Sequence, residues 1–238
     1  MTTYSLLGSG EFLPWSETMD RLVLERADGD GRVLILPTAS AKEGDEVFDG
    51  WAAKGMAHYG SLGIDAEVVP LKTREDAESP EFVARLEGAS VAYFSGGNPA
   101  YLASTLADTP FWAALRGRME RGLAYVGCSA GVACLGDRAP DSDTRRFADG
   151  FWEPGLGVFH GVWFGPHWDA LDSFVPGLSD FIVSSVPADE CLFAIDEQTA
   201  AIGDGAEWSV VGTSAVHVYR DGTWTHHAAG SSFSLDLT

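Results

Sequence analysis

A serine flanked by glycines follows an apolar run in the stretch "GLAYVGCSAGVACLG", and this serine, Ser129, is the first candidate for chemistry. The pattern G-x-S-x-G between a strand-like run and a helical run is typical of a nucleophile elbow, a sharp turn that holds a hydroxyl above the edge of a sheet. Its glycines let the strand and the helix close around the turn. The backbone N–H of Ala130, at the start of that helix, would donate to an oxyanion. The alternative is a serine without a chemical role in a tight turn.

The neighbouring Cys128 is the rival nucleophile, because a thiol is intrinsically more nucleophilic than a hydroxyl. The glycine spacing is centred on Ser129, however, which would direct Cys128 back toward the sheet as a small buried thiol. The chain has three cysteines, Cys128, Cys134 and Cys191, and none of them forms a C-x-x-C pair. Such usage argues against a disulfide framework and against a structural zinc site. We therefore expect reduced, mostly buried thiols, a serine nucleophile, no metal and no organic cofactor.

A serine hydroxyl needs a neighbouring base, and two of the six histidines lie in the aromatic loop that follows the serine. His167 stands after Gly-Pro in "FGPHWDAL", in a turn that opens a new element, with Asp169 two residues further on. It is the predicted base. His160 is predicted to line the pocket. The remaining histidines are assigned to a helix, to an alternating strand and to a polar surface stretch near the C-terminus.

The elements that would position these side chains alternate along the first half of the chain. Apolar runs occur in "TYSLLGSG", "GRVLILPTAS", "GIDAEVVPL", "GASVAYFSGGN" and "GLAYVGCSAG". Helical spacing between them predicts helices over 17–27, 47–62, 80–86 and 100–121. Continuous apolar strands separated by helices indicate an α/β fold with a mainly parallel sheet covered on both faces. Small residues follow these strands at their carboxyl ends, where open parallel sheets bind ligands.

The texture of the sequence changes from about residue 147, where glycine and aromatic residues become frequent. Short strands joined by tight turns such as "GDG" and "DG" predict an antiparallel edge near the C-terminus. No linker-like stretch precedes this part of the chain. A single domain is therefore expected across residues 1–238.

The charge balance excludes several classes of partner. The chain has 35 acidic and 15 basic side chains, a formal net charge of −20. A surface this negative repels phosphate backbones and anionic lipids, so neither nucleic acid nor membrane is an expected partner. No window is long and apolar enough to span a bilayer, and the N-terminus lacks the basic flank of a signal peptide. The expected location is the cytoplasm.

Five stretches in fixed order carry a family resemblance: "LLGSGEF", "AYFSGGNPAYLASTL", "GCSAGVAC", "GPHWDAL" and "AIDEQTAAI". From residue 4 to about residue 220 the chain resembles the peptidase E-like family. That family contains the aspartyl dipeptidases and the cyanophycinases, serine peptidases on a fold similar to class I glutamine amidotransferases. The resemblance implies a three-layer αβα arrangement of the flavodoxin-like type.

The resemblance also implies roles for matching positions. Ser129 would be the nucleophile and His167 the general base. The backbone N–H of Gly97 would be the second oxyanion donor, beside that of Ala130; independently, only glycine lets a backbone approach a reacting carbonyl so closely. Asn98 would hold this loop or touch substrate.

The third member of the triad differs between the branches of the family. In the cyanophycinase-like branch a glutamate in an I-D-E motif orients the histidine, which corresponds to Glu197 in "AIDEQTA". In the dipeptidase branch an aspartate between the serine and the histidine takes that part, and the nearest local equivalents are Asp141 and Asp143. The dipeptidase motif around that aspartate is absent here. Glu197 is therefore the predicted acid, and Asp143 is the alternative.

The implied reaction is hydrolysis of a short peptide through an acyl-enzyme, with an aspartyl dipeptide or an aspartate-rich polymer among the candidate substrates. A substrate carboxylate would need a cation, and Arg145 and Arg146 are the nearest candidates. Trp152, Trp163 and Trp168 fit either an aromatic-lined pocket or a packed core. The sequence leaves open whether the chain forms a homodimer. Two other readings stay open, a Cys128-dependent amidotransferase-like protein and a non-catalytic binding protein.

Overall fold

The computed structural model describes residues 2–144, 147 and 150–237. Its strands, numbered in chain order, are β1 (Tyr4–Leu7), β2 (Val33–Leu36), β3 (Ala66–Val68), β4 (Val91–Phe94), β5 (Ala124–Cys128), β6 (Arg138–Pro140), β7 (Trp152–Pro154), β8 (Val162–Gly165), β9 (Cys191–Ile195), β10 (Thr199–Gly203), β11 (Glu207–Gly212), β12 (Ala215–Arg220), β13 (Thr223–Ala228) and β14 (Ser232–Ser234). Its helices are α1 (Ser16–Arg26), α2 (Asp45–Leu62), α3 (Arg74–Glu78), α4 (Pro80–Ala84), α5 (Pro99–Leu106), α6 (Pro110–Met119), α7 (Ala130–Ala133), α8 (Leu171–Phe174) and α9 (Leu178–Ser185), with a 3₁₀ segment over Thr38–Glu43. None of the helices in these residues combines the length and the apolarity that crossing a bilayer would require.

The central sheet has the strand order β14-β11-β10-β1-β5-β4-β2-β3. Strands β1, β5, β4, β2 and β3 are parallel neighbours. Strands β10, β11 and β14 continue the sheet as an antiparallel edge. The predicted α/β fold, with a mainly parallel sheet and an antiparallel edge near the C-terminus, is confirmed.

Successive side chains of the parallel strands face two different cores. In β2, Leu34 and Leu36 belong to the core that contains residues of α5 and α6, whereas Val33 and Ile35 belong to the core that contains residues of α1 and α2. All four are fully buried. A strand covered on both faces has to be apolar throughout, which explains the unbroken run "VLIL". Helices therefore cover both faces of the sheet, and the architecture has three layers.

The helix predicted over residues 100–121 is two helices, α5 and α6. The chain turns at Asp108, whose φ is +59°. Pro110 then opens α6, and the side chain of Thr109 caps it by accepting a hydrogen bond from the N–H of Trp112. Proline disfavours a helical backbone at the residue before it, here Thr109, so one continuous helix cannot pass through this point.

A second sheet, with the strand order β13-β12-β9-β8, was not predicted. Strands β8 and β9 are parallel, so both end at the same edge of this sheet. The two sheets share a core, in which Phe193 of β9 packs on Trp208 of β11 with ring centroids 5.4 Å apart. The expectation that residues 1–238 form a single domain stays a prediction.

Candidate active site

The bend between β5 and α7 presents the side chain of Ser129. Its backbone has φ +52° and ψ −106°, a conformation that L-residues rarely adopt and that costs roughly 1–3 kcal/mol. A Cβ on Gly127 would lie 2.2 Å from the carbonyl oxygen of Gly131, and a Cβ on Gly131 would lie 2.5 Å from that of Phe94. Both glycines are therefore sterically required, because strand, bend and helix approach one another at backbone distance.

Three side chains meet at this bend. The Oγ of Ser129 lies 2.9 Å from Nε2 of His167, and Nδ1 of His167 lies 3.0 Å from Oε1 of Glu197. A carboxylate can only accept, so it fixes the proton of the imidazole on Nδ1. The lone pair on Nε2 is then free to accept the serine proton. Neither Asp141 nor Asp143 takes this place.

Two neighbouring parallel strands deliver the histidine and the glutamate. His167 follows β8, with φ +55°, and Glu197 follows β9. The backbone N–H of Trp168 donates to the carbonyl of Ile195 at 3.0 Å. The carboxylate of Asp169 accepts the N–H of Glu197 at 2.8 Å. These two hydrogen bonds join the loop after β8 to the loop after β9, so the imidazole of His167 and the carboxylate of Glu197 are held beside each other.

The Gly96–Gly97 turn after β4 forms a second wall of the site. Gly97 has φ +144°, and a Cβ there would lie 2.3 Å from the carbonyl carbon of Ala39, so only glycine fits. A Cβ on Gly96 would lie 3.8 Å from Oγ of Ser129. Within the described part of the chain, neither the N–H of Gly97 nor that of Ala130 has a hydrogen-bond acceptor. Both groups are thus available to a ligand.

The side chain of Asn98 is buried and holds the loop that carries this turn. Its Oδ1 caps α5 by accepting the N–H of Tyr101 at 3.0 Å, and its Nδ2 donates to Oδ1 of Asp141 at 2.7 Å. The hydrogen bond from Asn98 lowers the pKa of Asp141 below its usual value. Asp143 pairs with Lys42 at 3.2 Å. These two hydrogen bonds fit a residue that holds the loop, and both this role and a contact of Asn98 with substrate stay predictions.

The thiol of Cys128 is fully buried and is not among the groups that line the cleft beside Ser129. It donates to Oε2 of Glu11 at 3.0 Å. Burial, and then the nearby charge of Glu11, raise the pKa of this thiol well above its ordinary value. The reactive thiolate is therefore disfavoured, in contrast to the activated cysteines of thiol enzymes, whose pKa is lowered.

His160 is not part of the observed constellation. The structure does not bring His160 to the cleft: its side chain is 82% exposed and its Nδ1 lies 2.8 Å from Oδ1 of Asp137. The turn at Gly161, with φ +68°, separates it from β8. Arg145, like Arg146, lies outside the described residues.

The three tryptophans near His167 belong to a packed cluster and do not line the cleft. Trp163 is buried in the third core, with Trp152 against it at an angle of 84° and a centroid distance of 4.7 Å. Trp168 packs on Trp224 with ring centroids 5.2 Å apart. The sequence allowed either an aromatic-lined pocket or a packed core, and the structure shows the packed core.

The site opens into a cleft of about 1570 Å³. Phe174 stands at its mouth, 59% exposed, with its ring edge-on to the imidazole of His167 at 5.6 Å. Two lysines line the cleft: Lys42, and Lys54, whose Nζ lies 4.1 Å from the ring centroid of Trp51. Sequence reasoning missed both lysines, since nothing in a helical surface pattern distinguishes a cleft from open solvent.

Sequence reasoning also missed Glu11, which is 7% exposed and lies in the same cleft. Its carboxylate accepts the N–H of Gly96 at 3.0 Å in addition to the thiol of Cys128. The signal was present in "GSGEF", a carboxylate directly after a strand at the edge where small residues collect.

Comparison with known sequences finds peptidases. The model of Peptidase family S51 matches residues 5–211. A cyanophycinase from Nostoc sp. is 28% identical over 204 residues, which cover 82% of this chain and 65% of that protein. A cyanophycinase from Synechococcus elongatus is 28% identical over 220 residues, which cover 86% of this chain and 64% of that protein. The chain thus spans just under two thirds of the length of these curated relatives.

Comparison with solved structures gives a match over nearly the whole chain. A peptidase from an acI-B1 actinobacterium is 31% identical with a TM-score of 0.89, over 99% of this chain and 97% of that one. A candidate peptidase E protein from Listeria monocytogenes is 20% identical with a TM-score of 0.64, over 90% of this chain and 100% of that one. The second likeness shows the fold alone.

Proposed function

Because the chain belongs to peptidase family S51, we propose that it is a serine peptidase in which Ser129, His167 and Glu197 form the catalytic triad. The observation that carries this proposal is the pair of contacts at His167, 2.9 Å to the hydroxyl of Ser129 and 3.0 Å to the carboxylate of Glu197. Nucleophilic acyl transfer requires a nucleophile that is hydrogen-bonded to a base, and a base that is hydrogen-bonded in turn to an orienting group.

The first half-reaction forms an acyl-enzyme. Ser129 Oγ attacks the substrate carbonyl carbon while Nε2 of His167 takes the hydroxyl proton, and Glu197 stabilises the resulting imidazolium. The carbonyl oxygen becomes an oxyanion that accepts from the N–H groups of Gly97 and Ala130. A donor of this kind is worth about 3–4 kcal/mol in the transition state. The tetrahedral intermediate then collapses as His167 gives its proton to the leaving amine, which breaks the C–N bond.

The second half-reaction repeats these steps with water. His167 takes a proton from a water molecule that attacks the ester carbon of acylated Ser129. The same two N–H groups receive the oxyanion, and His167 returns the proton to Oγ as the acid product leaves. The strained bend supports both halves, because it holds Oγ at the N-terminus of α7, where the backbone dipole favours negative charge.

The substrate class that we propose is a short peptide. The cleft is open and roomy, and two cations line it, so a peptide carboxylate has partners within the site. A terminal carboxylate and an aspartyl side chain are the two groups that Lys42 or Lys54 would bind, and Arg145 stays a further candidate. A cyanophycinase-like activity on aspartate-rich peptides is the alternative, which the similarity to the cyanophycinases supports.

The state of Cys128 supports serine over cysteine as the nucleophile. A thiol that is buried, donates to a carboxylate and has a raised pKa is a poor nucleophile. The histidine of the site, moreover, hydrogen-bonds to the hydroxyl of Ser129 and not to the thiol of Cys128.

The test is a library of dipeptides and tripeptides incubated with wild-type protein and with the Ser129→Ala and Cys128→Ala variants. We expect wild type to release free amino acids, Ser129→Ala to release none above background and Cys128→Ala to retain most of the release. Loss of release in Cys128→Ala with retention in Ser129→Ala would refute the serine mechanism. A folded wild type that cleaves no peptide would refute the peptidase proposal.

A further inference from the structure

Glu11 occupies an unusual position for a carboxylate. It follows β1 in the stretch "GSGEF", and its side chain is 7% exposed although it borders the cleft. A buried carboxylate requires hydrogen-bond partners, since an unpaired one costs several kcal/mol. Within the described residues it has no cationic partner, and both its oxygens accept from uncharged donors.

The two donors lie at the carboxyl ends of the neighbouring strands β4 and β5. Oε1 accepts the backbone N–H of Gly96, the residue before the proposed oxyanion donor Gly97. Oε2 accepts the thiol of Cys128, the residue before the proposed nucleophile Ser129. One side chain therefore ties together the two backbone segments whose relative placement sets the geometry of the reaction.

Few other hydrogen bonds hold the Gly96–Gly97 turn within the described residues. Neither glycine has a side chain, and Gly97 has φ +144°, so the peptide unit between them is intrinsically free to rotate. The N–H of Asn98 is fixed on the carbonyl of Ala39 at 2.9 Å, and the N–H of Ser95 lies 3.3 Å from the carbonyl of Leu36. Between these points, the hydrogen bond from the N–H of Gly96 to Glu11 is the one that the described residues offer to hold the turn in place.

We propose that Glu11 is a positioning residue, which aims the N–H of Gly97 at the oxyanion by anchoring Gly96. This inference rests on the proposed peptidase function. The essential property is the acceptor at the position of Oε1 and not the negative charge. Both Oε1 of Glu11 and Oγ of Ser129 lie within 4 Å of the point where a Cβ of Gly96 would stand. A charge so close to the developing oxyanion would oppose the reaction, so charge alone cannot be the reason for a carboxylate here.

Two conservative variants separate these properties. Glu11→Gln keeps an oxygen acceptor for Gly96 and removes the charge. Glu11→Asp keeps the charge and shortens the side chain by one carbon, about 1.5 Å, which takes the acceptor out of hydrogen-bond range. We expect Glu11→Gln to keep kcat within about fivefold of wild type and Glu11→Asp to lower kcat by on the order of 10²-fold, the cost of a misplaced oxyanion donor. KM should change little in either variant, because the ground-state contacts remain.

Hydrogen exchange of the Gly96 amide reports on its hydrogen bond to Glu11 without any need for catalysis. The amide of Gly96 should exchange with solvent as slowly in Glu11→Gln as in wild type, and faster in Glu11→Asp, as NMR of the labelled amides would record. The reverse order of activities, equal loss in the two variants, or an unchanged exchange rate in Glu11→Asp would overturn the inference. A wild type that cleaves no peptide would end the peptidase proposal, whereas the exchange rates would still decide whether Glu11 anchors the turn.

Discussion

Replacing Glu197 with glutamine isolates the electrostatic role of the third triad member, since the two side chains share a shape and differ by one negative charge. In the transition state His167 becomes an imidazolium, and its Nδ1 lies 3.0 Å from Oε1 of Glu197. With charge centres about 4 Å apart, the attraction is about 1 kcal/mol in water and about 4 kcal/mol at the effective dielectric of a protein surface. The side chains are 26% and 38% exposed, which places the site between these limits. A loss of about 2.5 kcal/mol corresponds to on the order of 10²-fold in kcat/KM.

The assay is steady-state hydrolysis of the best peptide from the library, with unfolding temperatures recorded for each variant. Asp143→Asn is the matched control, because it makes the same chemical change at the other candidate acid. Asp143 is exposed and pairs only with Lys42 at the cleft wall among the described residues, so its neutralisation should cost less than about threefold. An equal loss in both variants, or a Glu197→Gln enzyme within threefold of wild type, would refute the assignment of Glu197.

Three further predictions concern stability. Gly131→Ala should destabilise the fold by about 3 kcal/mol or prevent folding, because the new Cβ would lie 2.5 Å from the carbonyl oxygen of Phe94. The control Gly50→Ala, at an open position of α2, should instead stabilise the fold by about 0.5–1 kcal/mol. Urea unfolding would compare the two variants, and similar effects on the free energy of unfolding would contradict the steric argument. Asn98→Ala should cost about 1–2 kcal/mol in the same assay, since it removes the cap of α5 and a donor to Asp141, and an unchanged midpoint would count against the holding role. Alkaline pH should destabilise the protein, because burial raises the native pKa of Cys134 to about 12 and those of Cys128, Tyr59, Tyr93 and Tyr125 well above their ordinary values. The native state then holds protons that the unfolded state releases, so stability is full below about pH 9 and falls as pH rises; a Tm that stays constant from pH 8 to 11 would contradict this.

The family and the central sheet could be predicted from the sequence because their signals are local. Strands buried on both faces must be apolar throughout, and the runs around Leu34 and Tyr125 show this directly. The bend at Ser129 has its own signal, since the close approach of backbones at Gly127 and Gly131 excludes any side chain. Both kinds of signal depend on neighbours within a few positions of the chain.

The placement of the remaining site residues depends on pairings that no local pattern encodes. Glu197 lies beside His167 because β8 and β9 are parallel neighbours, in a second sheet that the glycine-rich and aromatic sequence did not reveal. The family resemblance suggested Glu197 and kept Asp143 as the alternative behind it. His160 shares the aromatic loop with His167, yet the turn at Gly161 directs it to Asp137. Glu11 lies 85 residues from Gly96, so their hydrogen bond can be recognised only once the order of strands in the sheet is known.

Covalent labelling of the intact protein with a fluorophosphonate, followed by mass spectrometric mapping of the adduct, tests the central claim most directly, because the reagent reports an activated nucleophile whatever the peptide specificity. The claim is that the hydroxyl of Ser129 is activated by the imidazole 2.9 Å away. We predict one adduct per chain, on Ser129, formed far more slowly in His167→Ala and not at all in Ser129→Ala. An adduct on Cys128, or a correctly folded wild type that stays unlabelled, would contradict it.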